Sequence, residues 1–390
     1  MQRIVVLGAG YAGVRAVQEI WHGLDRCEVT LVDRSRSHQI LTEMYRVAAG
    51  DERPTAAEVP LARLLPRHRH LSLLQGDVET IDWRGREVRT SRGALSYDYL
   101  LLCLGATGQD ADVPGLREHA LTLRYLDSAV RVRRSLRRLD QAGGGRVVVV
   151  GGGLTGVELA AEIAARRAAP LHLTIAQADP MLLPDEDPAL AAYAEDALRR
   201  SGIELCLGER VRRILAHGVE LHSGALLPAD LVIWTGGVRA NPVAASSGLP
   251  VDRHGRLRVQ GTLEAEGHPC LFGAGDIAAV PGPGGRTLPA TAQLAVQEGR
   301  QAAGNILRLL DGREPRVLRP HILGVAASLG PRCGIARLGR FRLTGRPGWA
   351  VHELALLRYL YGLGGLGLLR REGYPGWREP ALAPERRGAS

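Results

Sequence analysis

Several residue types and patterns are missing from this chain, and each absence narrows what it can be. Lysine is absent, so the 50 basic side chains are all arginines; they outnumber the 41 acidic ones and give a net charge of +9. The five cysteines stand singly with no C-x-x-C pair, which excludes a vicinal redox disulfide and is typical of a reduced compartment. No run of about twenty uncharged apolar residues occurs, which excludes an ordinary membrane-spanning helix.

The excess of arginine suits an anionic partner, but charge alone does not choose among a membrane surface, a phosphorylated cofactor and nucleic acid. No nucleic-acid recognition motif accompanies the charge, so we expect no nucleic-acid partner. A helix rich in arginine is predicted over residues 125–142, and its charges are interpreted as a solvated face rather than a binding patch.

The first chemical motif is a glycine turn that follows a short apolar strand near the start of the chain. Gly8, Gly10 and Gly13 have the spacing G-x-G-x-x-G. Such glycines allow a tight turn, a close approach of backbone to a pyrophosphate, and close packing of helix on strand. The next predicted strand ends at Asp33, where an acid can bind a ribose hydroxyl. This context predicts a dinucleotide-binding βαβ unit rather than an ordinary strand–turn–helix.

A second copy of the motif begins roughly 140 residues later, after an apolar strand over residues 146–150. Its glycines are Gly151, Gly153 and Gly156, and Gln177 stands where Asp33 stood in the first copy. Glu158 lies on the following helix, either facing a nicotinamide or only complementing the helix dipole. Two such motifs imply two dinucleotides, one of which passes electrons to the other.

The motifs predict an α/β protein with two Rossmann-like dinucleotide-binding domains, one inserted into the other. We expect a discontinuous first domain over residues 1–112 and 255–325, with the second domain over 113–254. Residues 326–390 form a C-terminal region that ends in a disordered tail.

Two later segments carry residues suited to a cofactor. One predicted strand ends at Gly275 and Asp276, where the acid can hold a sugar or polyol chain. The helix after Pro289 then presents Gln293 and Gln297 on one face, for which a polar first turn is the alternative interpretation.

The order of these pieces closely resembles the flavoproteins with two dinucleotide-binding domains, and among them the type II NADH:quinone oxidoreductases (alternative NADH dehydrogenases). The general resemblance rests on GAGYAG, LLLCLGATG, GGGLTGVE and LFGAGD. The narrower one rests on LTEMYRVAAG, AQLAVQ and GVAASLGPRCGIARLG, and it covers roughly residues 1–370. AQLAVQ is the most specific match, since that family places this pattern where flavin and quinone meet.

The resemblance assigns residues to two cofactors and a quinone. It implies that FAD is held by Gly8, Gly10, Gly13, Asp33, Val78, Ala106, Asp276 and Gln293. It implies that NADH or NADPH lies against Gly151, Gly153, Thr155, Gly156, Glu158, Gln177 and Gly237. The quinone would approach Gln293 and Gln297, so the residues nearest the chemistry are Gln293, Gln297 and Glu158. No metal site is expected.

Gln177 departs from the acid that the family uses for the NADH ribose. An acid there binds ribose hydroxyls and also repels the 2′-phosphate of NADPH. An uncharged glutamine removes the repulsion, and Arg210, Arg212 or Arg213 stand further along the chain as phosphate ligands if they fold nearby. The sequence therefore predicts an enzyme that accepts both donors.

The function implied is transfer of a hydride from NAD(P)H to FAD and then of electrons to a membrane quinone of a respiratory chain, without proton pumping. The first alternative is a sulfide:quinone oxidoreductase, which would need a pair of reactive cysteines near the flavin. Cys103 is expected to be buried in a strand and Cys333 has no obvious partner. A flavoprotein that senses NAD(P)H without turnover is the second alternative, against which the intact AQLAVQ argues.

The C-terminal region predicts where the protein works. Residues 349–369 are largely apolar, with aromatic residues and flanking arginines that suit a segment lying in a membrane interface. A buried hairpin or a homodimer contact is the alternative. No signal peptide precedes the first strand, so we expect a cytoplasmic protein bound peripherally to the inner face of the cell membrane.

Overall fold

The computed structural model describes residues 1–50, 53–65, 67–108, 113–166 and 169–372. The chain forms two compact units, each assembled from three separate stretches. Unit 1 comprises Met1–Gln39, Glu58–Thr107 and Val238–Ile322. Unit 2 comprises the described parts of Ile40–Ala57, Gly108–Gly237 and Leu323–Ser390.

The described helices range from a single turn to more than seven turns. They are α1 Tyr11–Ile20, α2 Met44–Ala49, α3 Leu61–Leu64, α4 Leu116–His119, α5 Leu126–Gln141, α6 Leu154–Arg166, α7 Pro188–Arg200, α8 Val243–Ser246, α9 Ala292–Leu310 and α10 Arg346–Glu372. The arginine-rich helix predicted over 125–142 is confirmed as α5.

The described strands are short and are shared between two larger sheets and several small ones. They are β1 Gln2–Leu7, β2 Cys27–Asp33, β3 Ser37–Gln39, β4 Glu58–Pro60, β5 Leu71–Gln75, β6 Val78–Asp82, β7 Glu87–Thr90, β8 Gly93–Ser96, β9 Tyr99–Leu102, β10 Ala106–Gly108, β11 Ala120–Thr122, β12 Gly145–Val150, β13 Leu171–Gln177, β14 Ile203–Leu207, β15 Val211–Leu215, β16 Gly218–Leu221, β17 Leu226–Pro228, β18 Leu231–Trp234, β19 Val238–Ala240, β20 Leu257–Arg258, β21 Glu264–Ala265, β22 His268–Gly273, β23 Ala278–Ala279, β24 Gly324–Ser328, β25 Gly334–Leu338 and β26 Phe341–Thr344.

Unit 1 is organised around a six-stranded sheet in the order β21-β22-β9-β1-β2-β5. Its five strands from β22 to β5 are parallel, and β21 pairs antiparallel at the edge. Residues 4–7 of β1 are buried, which is why this strand is apolar at successive positions rather than at alternate ones. Helices α1 and α9 pack side by side, so the first and last parts of the unit share one core.

Unit 2 contains a five-stranded parallel sheet in the order β11-β18-β12-β13-β14. Helices α2, α5, α6 and α7 contribute to its core, which also includes Ile335 of β25. The strand β12 is apolar and buried over residues 147–150, as in the first unit. The prediction of an α/β fold with parallel sheets is confirmed.

The limits of the two units differ from the predicted domain boundaries, most of all at two places. Residues 40–57 belong to unit 2, and residues 238–254 belong to unit 1. Residues 40–57 join unit 2 because α2 packs on α5 and α6 there. The cofactor assigned to each domain stays a prediction.

The C-terminal segment is the helix α10, which packs against the small sheet β24-β25-β26 of unit 2. Its backbone leaves helical geometry at Gly364 and Gly365. Among the described residues, no helix combines the length and apolar character needed to cross a membrane. The disordered tail predicted for the last residues lies outside the described ranges.

Candidate nucleotide-binding sites

The glycine turn of unit 1 is built so that two glycines are required by packing and one faces open space. Gly8 has a φ of 99°, and a Cβ there would lie 2.4 Å from the carbonyl oxygen of Cys103. A Cβ on Gly13 would lie 1.8 Å from the carbonyl oxygen of Gly8. A Cβ on Gly10, in contrast, would meet no heavy atom of the described residues within 4 Å. The turn therefore leaves room at Gly10 for a phosphate group and fits a dinucleotide such as FAD.

Asp33 is fixed against this turn by backbone donors. Its Oδ2 accepts a hydrogen bond from the Ala9 N–H at 2.6 Å, and its Oδ1 accepts one from the Ser35 N–H at 2.7 Å. Burial raises the pKa of Asp33, and the two N–H donors oppose that rise by stabilising the carboxylate. The carboxylate is thus oriented at the end of β2, where the sequence predicts a ribose contact.

His38 is a residue of this site that sequence reasoning missed. It is fully buried, its Nδ1 lies 2.9 Å from the carbonyl oxygen of Ala9, and its ring stacks edge-on against Tyr11. Burial lowers the pKa of His38 to about 4, so the ring is neutral and donates to Ala9. A polar residue after Asp33 carries no distinctive spacing, which is why its role could not be predicted.

The second part of the unit 1 site is the turn at Gly275 and Asp276. Gly275 has a φ of 78°, and a Cβ there would lie 3.4 Å from the Cβ of Ala12 on α1. The turn therefore lies beside the first glycine turn, as predicted for two segments that hold one cofactor. Asp276 is half-buried at this position, Ala106 is buried at the start of β10, and Val78 begins β6.

Glu298 fixes the Gly275 turn from within α9 and was not predicted. Its Oε2 accepts a hydrogen bond from the Gly275 N–H at 2.7 Å, and the residue is 4% exposed. Burial raises the pKa of Glu298 to about 7, opposed by the Gly275 N–H and helped by Asp276. An acid on the buried face of a helix, between Leu294 and Ala302, is the signal that could have revealed it.

Replacing Glu298 by glutamine is expected to flatten the pH dependence of stability. A carboxyl group with a pKa of about 7 when folded and about 4.5 when unfolded binds protons more tightly in the native state. Its contribution to stability therefore falls as the pH rises from about 4.5 to about 7, by roughly 3 kcal/mol. Thermal unfolding of Glu298→Gln between these pH values should lose that slope. The exposed Glu79→Gln on β6 should keep it, and an unchanged slope in Glu298→Gln would contradict the assignment.

The two glutamines of α9 lie one helical turn apart, and the Gln297 amide makes hydrogen bonds within the protein. The amide of Gln297 is bound by the backbone of His321, accepting from its N–H at 2.9 Å and donating to its carbonyl at 3.0 Å. Gln297 also donates to the carbonyl of Gln293, one helical turn earlier. Both residues are half-buried. The side chain of Gln297 thus holds the chain at His321, and its contact with a quinone stays a prediction.

The glycine turn of unit 2 repeats the geometry of the first. Gly151 has a φ of 109°, and a Cβ on Gly156 would lie 1.9 Å from the Gly151 carbonyl oxygen. A Cβ on Gly153 would meet no heavy atom of the described residues within 4 Å. Thr235, which follows β18 and was not predicted, donates its hydroxyl to the Val150 carbonyl and supports the turn. Thr155 is exposed on α6, and Gly237 is exposed with a φ of 86°.

Gln177 occupies the position in unit 2 that Asp33 occupies in unit 1. Its Oε1 accepts a hydrogen bond from the Gly152 N–H at 2.8 Å, as Asp33 accepts from Ala9. Its Nε2 donates to Oδ2 of Asp179 at 2.8 Å. The glutamine thus bridges the glycine turn to a carboxylate two residues further along the chain.

Glu158 lies in a buried cluster of charges rather than at a free helix end. Its Oε1 accepts a hydrogen bond from the Ser328 N–H and lies 3.1 Å from Nε2 of His352 on α10. Although burial opposes its charge, hydrogen bonds with Glu158 and Glu353 raise the pKa of His352 to about 10. The protonated His352 ring therefore lies next to the Glu158 side chain at neutral pH. Glu158 thus has specific side-chain and backbone partners in addition to any interaction with the helix dipole.

The cluster continues from His352 to the helix α2. Nδ1 of His352 lies 3.5 Å from Glu353, whose Oε1 accepts a hydrogen bond from the guanidinium of Arg46. Nη1 of Arg46 lies 3.5 Å from Glu43. These residues are all less than a tenth exposed, so α2, α6 and α10 are joined by buried charges.

Comparison with known proteins places the chain among nucleotide-dependent oxidoreductases. Residues 2–299 match the family model of the pyridine nucleotide-disulphide oxidoreductases. The chain is 28% identical to the type II NADH:quinone oxidoreductase of Staphylococcus epidermidis, over 93% of this chain and 96% of the relative. It is 30% identical to the demethylphylloquinone reductase NdbB of Synechocystis, over 92% and 91% of the two chains.

The fold is shared with NDH2 of Plasmodium falciparum, whose structure was solved in complex with NADH. The TM-score is 0.86 at 16% identity, over 97% of this chain and 99% of the other. The chain therefore belongs to the pyridine nucleotide-disulphide oxidoreductase family of enzymes, and within it to the type II NADH dehydrogenases, as the motifs predicted.

Proposed function

We propose that this chain is an FAD-dependent NAD(P)H:quinone oxidoreductase that transfers electrons to a membrane quinone without pumping protons. The observation that carries the proposal is the pair of matched glycine turns. Each has open space beside its middle glycine, Gly10 in unit 1 and Gly153 in unit 2. Two dinucleotide sites on one chain allow one nucleotide to deliver electrons and the other to carry them.

FAD is assigned to unit 1. The turn from Gly8 to Gly13 offers backbone N–H groups at the start of α1 to the pyrophosphate, and Asp33 is oriented to accept from a ribose hydroxyl. Asp276 follows a turn fixed by Glu298 and is placed for the rest of the cofactor. When bound, FAD supplies the two-electron chemistry that no side chain of the protein can supply.

The nicotinamide nucleotide is assigned to unit 2, against the turn from Gly151 to Gly156. Thr155 and Gly237 border that turn as exposed residues, so they remain available to a ligand. Glu158 lies about one turn into α6, with its carboxylate held in place by Ser328 and His352. The protein thereby contributes orientation rather than an acid or a nucleophile.

The quinone is assigned to the face of α9 that bears Gln293 and Gln297. Gln297 fixes the backbone at His321 through two hydrogen bonds, which gives this face a defined shape. The same two bonds occupy the Gln297 amide. The exposed Ile322 follows directly. An apolar edge next to polar glutamines suits a ring with two carbonyl oxygens and a hydrocarbon tail.

The experiment that tests the function is steady-state oxidation by the purified, flavin-loaded protein with a water-soluble quinone as acceptor. NADH, NADPH and sulfide are supplied as separate donors. Turnover with a nicotinamide nucleotide is expected. Sulfide should be inactive, because Cys103 is buried and burial raises the pKa of its thiol to well above the usual range. Nucleotide binding without turnover would indicate a redox sensor rather than an enzyme. Turnover with sulfide alone would overturn the proposal.

We place the protein on the inner face of the cell membrane through α10. The exposed face of this helix carries Leu354, Arg358 and Tyr361, of which Leu354 is 60% and Tyr361 is 56% exposed. Leu366 is 60% exposed beyond the break at Gly364. An apolar and aromatic face with arginine suits the headgroup region of an anionic bilayer. A homodimer contact is the alternative use of the same face.

Replacing Leu354 and Tyr361 together by serine is expected to weaken binding to anionic lipid vesicles by at least about tenfold, because each loses apolar area that would enter the interface. Vesicle co-sedimentation measures this. Leu226→Ser on β17, also an exposed leucine in unit 2, is the matched control and should bind as the unchanged protein does. Equal binding by all three proteins would contradict the membrane assignment, and a change of mass in solution would favour the homodimer.

A further inference from the structure

The amide of Gln177 has one orientation in unit 2, and that orientation determines what lies beyond it. Its oxygen is directed at the glycine turn, where Gly152 donates to it at 2.8 Å. Its NH₂ group therefore points away from the turn, and it donates to Asp179 at 2.8 Å. In unit 1, Asp33 uses one oxygen for Ala9 and the other for the Ser35 N–H. Asp33 accepts its second hydrogen bond from a backbone N–H, whereas Gln177 donates its second hydrogen bond to a carboxylate.

The backbone around Asp179 is anchored on both sides. The carbonyl of Asp179 accepts from the Gly208 N–H at 2.8 Å, and the carbonyl of Gln177 accepts from the Glu209 N–H at 3.1 Å. These bonds continue the pairing of β13 with β14 past the end of both strands. The side chain of Asp179 is exposed, whereas Gln177 is 8% exposed. Asp179 thus presents a fixed negative charge at the carboxyl end of β13.

Two of the three arginines that could neutralise this charge are engaged with Glu220. Nη1 of Arg212 lies 3.2 Å from Glu220, and Nε of Arg213 lies 2.6 Å from the other oxygen of the same carboxylate. The residue next to the Gly208 contact is Glu209, a second acid. Asp179 and Glu209 thus lie where β13 and β14 end, and Arg210 is the arginine that follows them there.

We infer that Asp179, oriented by Gln177, selects NADH over NADPH. The carboxylate can accept a hydrogen bond from a ribose 2′-hydroxyl, and it repels a 2′-phosphate in the same place. The negative charge that Gln177 lacks is supplied two residues later. This inference rests on the proposed position of the nucleotide against Gly151–Gly156, and it replaces the expectation from sequence that both donors are accepted.

The test compares binding of NADH and NADPH to the flavin-loaded protein by titration, with kcat/KM for each donor as a second readout. The unchanged protein should bind NADH at least about tenfold more tightly than NADPH. Asp179→Asn should reduce that ratio by roughly tenfold, mainly through tighter binding of NADPH. Asp196→Asn, the same change of charge at an exposed position of α7, should leave the ratio unchanged.

Four results would overturn the inference. Equal binding of both donors by the unchanged protein, or a ratio that Asp179→Asn does not alter, removes Asp179 as the selecting residue and leaves the proposed function standing. If the gain of NADPH binding in Asp179→Asn disappears when Arg210→Ala is added, an arginine sets the preference instead. Binding of neither nucleotide would overturn the proposed function together with this inference.

Discussion

Gly10→Ala is expected to yield a folded protein that has lost its flavin, whereas Gly13→Ala is expected not to fold normally. A methyl group at Gly10 finds open space in the described structure, and the backbone there is extended with a φ of −74°. The same methyl group at Gly13 would lie 1.8 Å from the Gly8 carbonyl oxygen. The first change therefore affects only the space assigned to the pyrophosphate, and the second forces β1 and α1 apart.

Flavin content and thermal unfolding of the purified variants distinguish the two effects. For Gly10→Ala we expect an FAD dissociation constant raised by at least about tenfold, which is about 1.4 kcal/mol, with little change in the unfolding temperature of the apoprotein. Gly153→Ala is the matched variant in unit 2 and should keep its flavin. If Gly10→Ala purifies with a full complement of FAD, the pyrophosphate does not lie at this turn.

Arg46→Met is expected to cost about 3–5 kcal/mol of folding free energy, which is the usual effect of removing one member of a buried ion pair. Arg46 is 5% exposed and contacts the carboxylates of Glu43 and Glu353. Removing the guanidinium leaves both carboxylates buried, with His352 as the remaining cation beside Glu353. Arg258→Met, which breaks an exposed pair with Glu266, should cost less than about 1 kcal/mol.

The double variant Arg46→Met with Glu353→Gln should recover part of that loss of folding free energy. It removes the negative charge of Glu353 together with the positive charge of Arg46, so only Glu43 is left without its partner. Denaturant unfolding of the apoprotein measures all four proteins. A cost for Arg46→Met as small as that for Arg258→Met would show that the cluster is hydrated and not a buried network.

The same cluster predicts the behaviour of the protein at alkaline pH. A histidine whose pKa is about 10 when folded and about 6.5 when unfolded stabilises the native state fully below about pH 6.5. That contribution declines as the pH rises above 6.5 and is lost once it passes 10. Thermal unfolding should show this decline, and His352→Gln should lack most of it. An equal decline in both proteins would assign the titration to another group.

The fold could be predicted from the sequence because its signals are local. The apolar residues 4–7 and the glycines at 8, 10 and 13 lie within one short stretch, and only glycine satisfies the geometry found at Gly8 and Gly13. The second copy at Gly151 repeats the same constraints. Parallel strands separated by helices follow from these two units, so the architecture required no information about distant contacts.

The contacts that complete each site could not be predicted, because they join residues far apart in the chain. Arg46 and Glu353 are 307 positions apart, and neither stands in a pattern that suggests the other. Glu298 and Gly275 meet only because α9 packs on α1. Gln177 shows a different limit: its identity was evident, but the direction of its amide, and hence the role of Asp179, depends on hydrogen bonds that a sequence does not contain.

The division of each unit into three stretches has a consequence for how the protein is made. The chain passes from one unit to the other five times, and unit 1 is not complete until residues 238–322 have been added. At about 5–20 residues per second, a ribosome needs roughly 15–60 s to reach that point. During this time the parallel sheet of unit 1 lacks β22, and α1 lacks its partner α9. Newly made chains thus expose apolar surface for much of their synthesis, and chaperones that bind nascent polypeptides should associate with this protein until α9 has emerged.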